Sequence, residues 1–103
     1  MTHEQFDKFQ EELLKEVVGM KDTKGREYGN SKSRFANFDK LEESLDVERL
    51  TVAWIYTAKH LDAIASFVRT RKVLSEPLRS RIVDAIVYLT LIAGMEEERK
   101  DLI

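Results

Sequence analysis

The sequence predicts an all-α protein: a small helical bundle of three long helices and one short helix, completed by oligomerisation. Three observations carry this. No segment alternates polar and apolar residues over the length of a strand, and apolar residues recur three and four apart along most of the chain. Residues 82–95, "IVDAIVYLTLIAGM", are apolar at nearly every position around a helix. A helix apolar on all sides has to be covered on all sides. A monomeric bundle of this size is possible, but three long helices in one chain struggle to cover such a helix alone, so a homo-oligomer is expected, a dimer with the fourth or third helix at its interface.

Each element follows from local chemistry. Thr2 with Gln5 three residues on forms a capping-box start, and Phe6, Phe9, Leu13, Val17 and Met20 share one helical face, which predicts a helix over about 3–19. From Gly19 to Ser33 the periodicity stops, and Gly25, Gly29, Asn30 and the hydroxyl residues predict a loop. Phe35, Phe38 and Leu41 mark a short helix ending near Ser44. Asp46 then suits the N-cap of a long helix over about 47–71, with Leu50, Trp54, Ala58, Leu61, Ala65 and Val68 on one stripe. In "RKVLSEPL" the chain turns, Ser75 capping and Pro77 standing in the first turn of a last helix that runs to about Lys100.

With 103 residues, 43% of them hydrophobic, the chain supports one domain, 1–103, with one core. It contains no apolar run of membrane-spanning length, and its start lacks the layout of a secretory signal, so a cytoplasmic location is expected. Without cysteine, and with only His3 and His60, neither thiolate chemistry nor a histidine-built metal centre is expected; a metal would need carboxylates. The net charge of −2 conceals an alternation, with residues 21–40 and 59–81 basic and the intervening and terminal segments acidic. Two local basic patches on an acidic protein point to a small anion or a limited partner surface rather than a nucleic acid.

Charged residues interrupt the apolar helices at Lys59, His60 and Asp62 and again at Asp84. An ionised group withdrawn from water costs several kcal/mol unless it is paired. If the last two helices are antiparallel, Lys59 faces the level of Tyr88, and Asp84 lies level with Ala63. Asp84 and Tyr88 are four apart on one face. Lys59, Asp62, Asp84 and Tyr88 are therefore expected to cluster, with Arg81 a turn further along. They either fix the register of the helices or line a polar cleft. His60, beside alanines and leucines, reads as a packed side chain.

The stretch "KGREYGNSKSRFANF" supplies Lys24, Arg26 and Arg34 as cations ahead of a helix N-terminus, a setting suited to phosphate. Tyr28 offers a face to a base and Asn37 a partner for a base edge or ribose hydroxyl, whereas Phe35 and Phe38 read as core. Tyr28-Gly29, Arg34-Phe35-Ala36-Asn37-Phe38, Lys59, and Asp84 with Tyr88 resemble the nucleotide modification associated domain family of small all-α bacteriophage proteins. The resemblance spans about residues 21–92 and extends in style to MazG-like nucleoside triphosphate pyrophosphohydrolases. It implies a nucleotide-related role in the cytoplasm of an infected bacterium, with Tyr28, Arg34 and Asn37 at the loop signature and Lys59, Asp84 and Tyr88 at the helical positions.

Those hydrolases hold magnesium with Glu-x-x-Glu and Glu-x-x-Asp pairs, where this chain has Lys59-x-x-Asp62 and Arg81-x-x-Asp84. Replacing a carboxylate of each pair by a cation removes oxygen ligands and adds repulsion. The expectation is a nucleotide-binding protein without a metal or other cofactor, its site drawn from Lys24, Arg26, Tyr28, Arg34, Asn37, Lys59, Asp62, Arg81, Asp84 and Tyr88. Sequestering a nucleotide signal of host defence is one specific use. One alternative is a pyrophosphohydrolase or nucleotide-modification accessory enzyme using Asp62, Asp84 and Glu16 with magnesium. Another is an anti-defence or anti-CRISPR inhibitor that engages a host protein through Glu42, Glu43 and Glu48 or Glu96–Glu98. Nucleic-acid contact through Arg69, Arg71, Lys72, Arg79 and Arg81 is the weakest, since cations there also complement the dipole at the end of the third helix.

Overall fold

A computed structural model describes residues 1–28, 33–72 and 76–101, with the side chains of 20–28 and 101 left out of the description. Four helices follow one another: α1 (His3–Tyr28), α2 (Ala36–Leu45), α3 (Arg49–Thr70) and α4 (Leu78–Asp101). Among the described residues there is no strand, and no helix is long and apolar enough to cross a membrane.

The capping box forms. The Thr2 backbone N–H donates to Gln5 Oε1 at 2.8 Å, and the Gln5 N–H donates to Thr2 Oγ1 at 3.1 Å. The loop expected from Gly19 does not begin there, because α1 continues to Tyr28. A single helical glycine costs only about 1 kcal/mol. Residues 20–28, "MKDTKGREY", are otherwise rich in methionine, lysine, arginine and glutamate, which favour the helix.

Asp46 has a different role from the one its sequence position suggests. It takes the left-handed conformation (φ 53°, ψ 43°) that ends α2, a region aspartate tolerates better than most residues. Helix α3 then starts at Arg49 without a side-chain cap from Glu48, and the Arg49 N–H, which has no partner within the helix, donates to the Glu42 carboxylate. At the other end of α3, Arg71 adopts φ 60° and returns its N–H to the Phe67 carbonyl at 2.7 Å. Pro77 stands just ahead of α4, its carbonyl accepting from the Arg81 N–H, and Ser75 lies outside the described residues.

Helix α4 is the shared wall of the structure. On one side it packs antiparallel to α3, which brings Tyr56 to Tyr88, His60 to Asp84 and Arg49 to Glu98. Phe38 of α2, Val52, Ala53, Tyr88 and Met95 form the buried cluster there. On the other side Val17 of α1 packs with Val83 and Val87. Gly94 opens room for the turn before α2, since a methyl group there would lie 3.2 Å from the ring of Phe35.

The stripe expected on the third helix is turned outward beyond Leu50, which packs against the core. Trp54, Leu61 and Val68 are 52%, 39% and 64% exposed, while Val52, Ala53, Thr57 and His60 are buried. Ala53 and Thr57 are small enough to let α4 approach closely. Burial therefore selects the face that carries Val52, Ala53, Thr57 and His60.

The result is an open bundle. Its radius of gyration is 15.7 Å, against about 13 Å for a compact domain of this length. It exposes 7624 Å², whereas a compact 12.0 kDa monomer exposes about 6,000 Å².

Candidate functional site

Apolar packing between α3 and α4 is interrupted by one polar cluster. Asp84 and Tyr88 project from successive turns of α4, and His60 meets them from α3. The imidazole lies nearly parallel to the Tyr88 ring, with centroids 5.4 Å apart, and the Tyr56 ring lies nearly parallel to Tyr88 at 5.8 Å. Thr57, also buried, donates its hydroxyl to the Ala53 carbonyl at 2.8 Å. Among the described residues no buried side-chain nitrogen or oxygen lacks a partner.

Arg81, in the first turn of α4, completes the cluster with a side chain only 12% exposed. Its Nη1 lies 3.4 Å from His60 Nδ1. A guanidinium can only donate, so this contact assigns Nδ1 as acceptor and leaves the proton of a neutral imidazole on Nε2. That edge faces Asp84 Oδ2 at 4.0 Å, beyond direct hydrogen bonding. Arg81 Nε also lies 3.8 Å from Glu76 Oε2. Cation, imidazole and carboxylate thus stand in line within the helix interface.

Three of the residues proposed from sequence, Arg81, Asp84 and Tyr88, come together here. Lys59 and Asp62 do not join them, because both are exposed on the outward side of α3. The levels expected from the sequence are close to those observed, with Arg49 at Glu98 and His60 at Tyr88, but adjacent residues differ by about 100° around the axis, so His60 takes the place expected of Lys59. Arg34 is exposed in the turn before α2, and Asn37 is half-buried in the first turn of that helix. Lys24, Arg26 and Tyr28 lie on the last turns of α1 rather than in a loop, and their side chains fall outside the described residues. The residue missed as a site component is His60. Its signal was its place on the inward face with Ala53, Tyr56 and Thr57.

A second polar cluster lies at the far end of α3. Arg49 donates from Nη1 to Asp39 and from Nη2 to Glu98, each at 3.1 Å, and its guanidinium lies 5.0 Å from the Phe35 ring centroid. Burial works against its charge, but the hydrogen bonds to Asp39 and Glu98 outweigh that and raise its pKa above the ordinary value. Beside it is a groove of about 300 Å³ whose walls include Glu42, Glu48, Glu96 and Glu98. The two acidic segments singled out from sequence thus border one depression.

The basic residues around the α3–α4 connection are dispersed among separate contacts. Arg79 forms a two-point ion pair with Glu16, at 2.6 and 3.1 Å, and lies 5.1 Å from the Phe9 ring centroid. The Arg71 guanidinium lies 6.0 Å from the Phe67 ring centroid. Among the described residues no three histidine, cysteine, aspartate or glutamate side chains are grouped to hold a metal ion; Asp62 and Asp84, the pair the hydrolase alternative needs, are exposed and buried respectively. No family model, curated protein or solved structure matches the chain.

Proposed function

We propose that the protein is a non-catalytic binder of a nucleotide or another phosphorylated small molecule. It acts as a homo-oligomer in the cytoplasm of a phage-infected bacterium, where it sequesters a nucleotide signal used in host defence. The observation that carries this reading is the Arg81–His60–Asp84 constellation. Helix packing alone gains little from such a group, since replacing buried ionic clusters with apolar residues is often neutral or stabilising. A guanidinium in the first turn of a long helix combines a donor fork with the positive end of the helix dipole, both suited to phosphate.

In this reading the Arg81 guanidinium donates to a phosphate oxygen that takes the place of the exposed Glu76 carboxylate, 3.8 Å away. His60 and Asp84 fix the direction of the guanidinium, and Tyr88 supports the imidazole from below. Arg34 and Asn37 flank Phe35, which rests beside Gly94 about 20 Å along α4 from Arg81, so they are not part of this ligand's contacts. Lys59 and Asp62 are assigned elsewhere. Native mass spectrometry of the purified protein, followed by release of any ligand and titration with mono-, di- and triphosphates and cyclic dinucleotides, tests the proposal. Binding that Arg81→Gln abolishes is expected. Failure of every nucleotide to bind at millimolar concentration overturns it, and magnesium-dependent turnover lost in Asp84→Asn would replace it with the hydrolase alternative.

The acidic groove beside Arg49 favours a second reading, an anti-defence or anti-CRISPR inhibitor that receives a basic surface of a host protein. Capture of one stoichiometric host protein, lost when Glu42 and Glu98 are both changed to Lys and with no small molecule co-purifying, would support it over the first.

A further inference from the structure

We infer that the outward face of α3 is a homodimer interface in which two copies of the helix pair antiparallel about a twofold axis. This deepens the oligomer part of the proposed function and does not depend on the ligand. Thr51, Trp54, Ala58, Leu61, Ala65 and Val68 follow one another at alternating spacings of three and four, the period of a helix–helix seam. All are exposed except Ala58, which is half-buried.

The order of sizes along the seam selects the partner and its direction. Large residues, Trp54, Leu61 and Val68, occupy one position of the repeat, and small ones, Thr51, Ala58 and Ala65, occupy the other. An antiparallel copy sets the two positions against each other, so Trp54 meets Ala65 of the partner subunit, Leu61 meets Ala58 of the partner subunit, and Val68 meets Thr51 of the partner subunit. Every layer then holds one large and one small side chain. A parallel copy in register would set tryptophan on tryptophan and alanine on alanine, overpacking one layer and leaving a void in the next.

Charge gives the same answer. Lys59 and Asp62 flank the seam on one side, both exposed. The antiparallel twofold brings Lys59 of each copy beside Asp62 of the other, and it brings Glu48 towards Arg69. A parallel pair would oppose like charges. The area is also sufficient, because the chain exposes roughly 1,600 Å² more than a compact monomer of its mass, and a standard interface takes about 800 Å² from each partner.

The cysteine-free sequence makes a direct test possible. Sedimentation equilibrium is expected to show self-association that Leu61→Glu weakens by at least about a hundredfold, with helical content unchanged by circular dichroism. Thr51→Cys and Val68→Cys variants, mixed and oxidised, are expected to crosslink to each other. Thr51→Cys alone should not crosslink to itself, since antiparallel copies hold those positions about 25 Å apart. Lys59→Glu and Asp62→Lys proteins should each associate more weakly alone than wild type and form a one-to-one heterodimer when mixed. A monomeric wild-type protein at high concentration, or self-crosslinking of Thr51→Cys, overturns the inference. Nucleotide titration of the Leu61→Glu monomer separates failure of this interface from failure of the ligand site.

Discussion

Arg49 and Arg81 stand at the starts of neighbouring antiparallel helices, with side chains 17% and 12% exposed, yet their surroundings differ in kind. Arg49 meets two carboxylates at 3.1 Å and lies over a ring, tying α2, α3 and α4 together. The contacts of Arg81 include the His60 imidazole at 3.4 Å and the exposed Glu76 carboxylate at 3.8 Å, which place it between α3 and the segment leading into α4. Burial of a cation therefore does not by itself reveal its purpose. Arg49 joins three helices through short hydrogen bonds, whereas Arg81 is the cation on which the proposed ligand site rests.

That comparison can be broken first at Arg49. Arg49→Ala is expected to cost about 2 kcal/mol in chemical denaturation, because three charged hydrogen bonds or stacking contacts are lost while Asp39 and Glu98 regain water. Asp84→Ala should cost about 1–2 kcal/mol, since it removes the carboxylate facing a buried imidazole. If it costs more than Arg49→Ala, the α3–α4 cluster is the stronger structural tie and the contrast fails. Arg81→Gln is expected to cost under about 1 kcal/mol in the same measurement, with its main effect on ligand affinity. Arg79→Ala, which cuts an exposed ion pair to Glu16, should have a smaller effect still, one that shrinks further in high salt.

The smallest effect belongs to the Glu96–Arg99 pair. The hydrogen bond from Arg99 holds the Glu96 carboxyl below its ordinary value of 4.5. A carboxylate with a depressed folded-state pKa contributes stability above its unfolded value and loses it as pH falls through the folded one. Wild type should therefore lose slightly more thermal stability than Glu96→Gln between pH 5 and pH 3. Identical slopes would show the pair to be energetically silent.

Much of the fold was legible because local chemistry determines it. Thr2 and Gln5 satisfy each other's backbone donors whatever lies beyond, and Asp84 and Tyr88 share a face by spacing alone. The parts that were misread depend on competition between distant alternatives. Helix α3 carries two apolar faces, and periodicity finds both without saying which one meets α4; the choice moved Lys59 out of the polar cluster and His60 into it. Asp46 could have started one helix or ended the one before, and its left-handed backbone settled the matter. Gly19 and Gly25 read as punctuation because each is locally unfavourable, yet α1 runs through both.

The space beside Gly94 has a wider effect than its size suggests. Phe35 rests against α4 where that residue has no side chain, and the guanidinium of Arg49 lies over the same ring. Adding one methyl group would push the ring by a few tenths of an ångström and, through it, misalign a fork aimed at two acids on two other helices. Gly94→Ala, ordinarily a helix-strengthening change, would here trade local rigidity for a loosened joint.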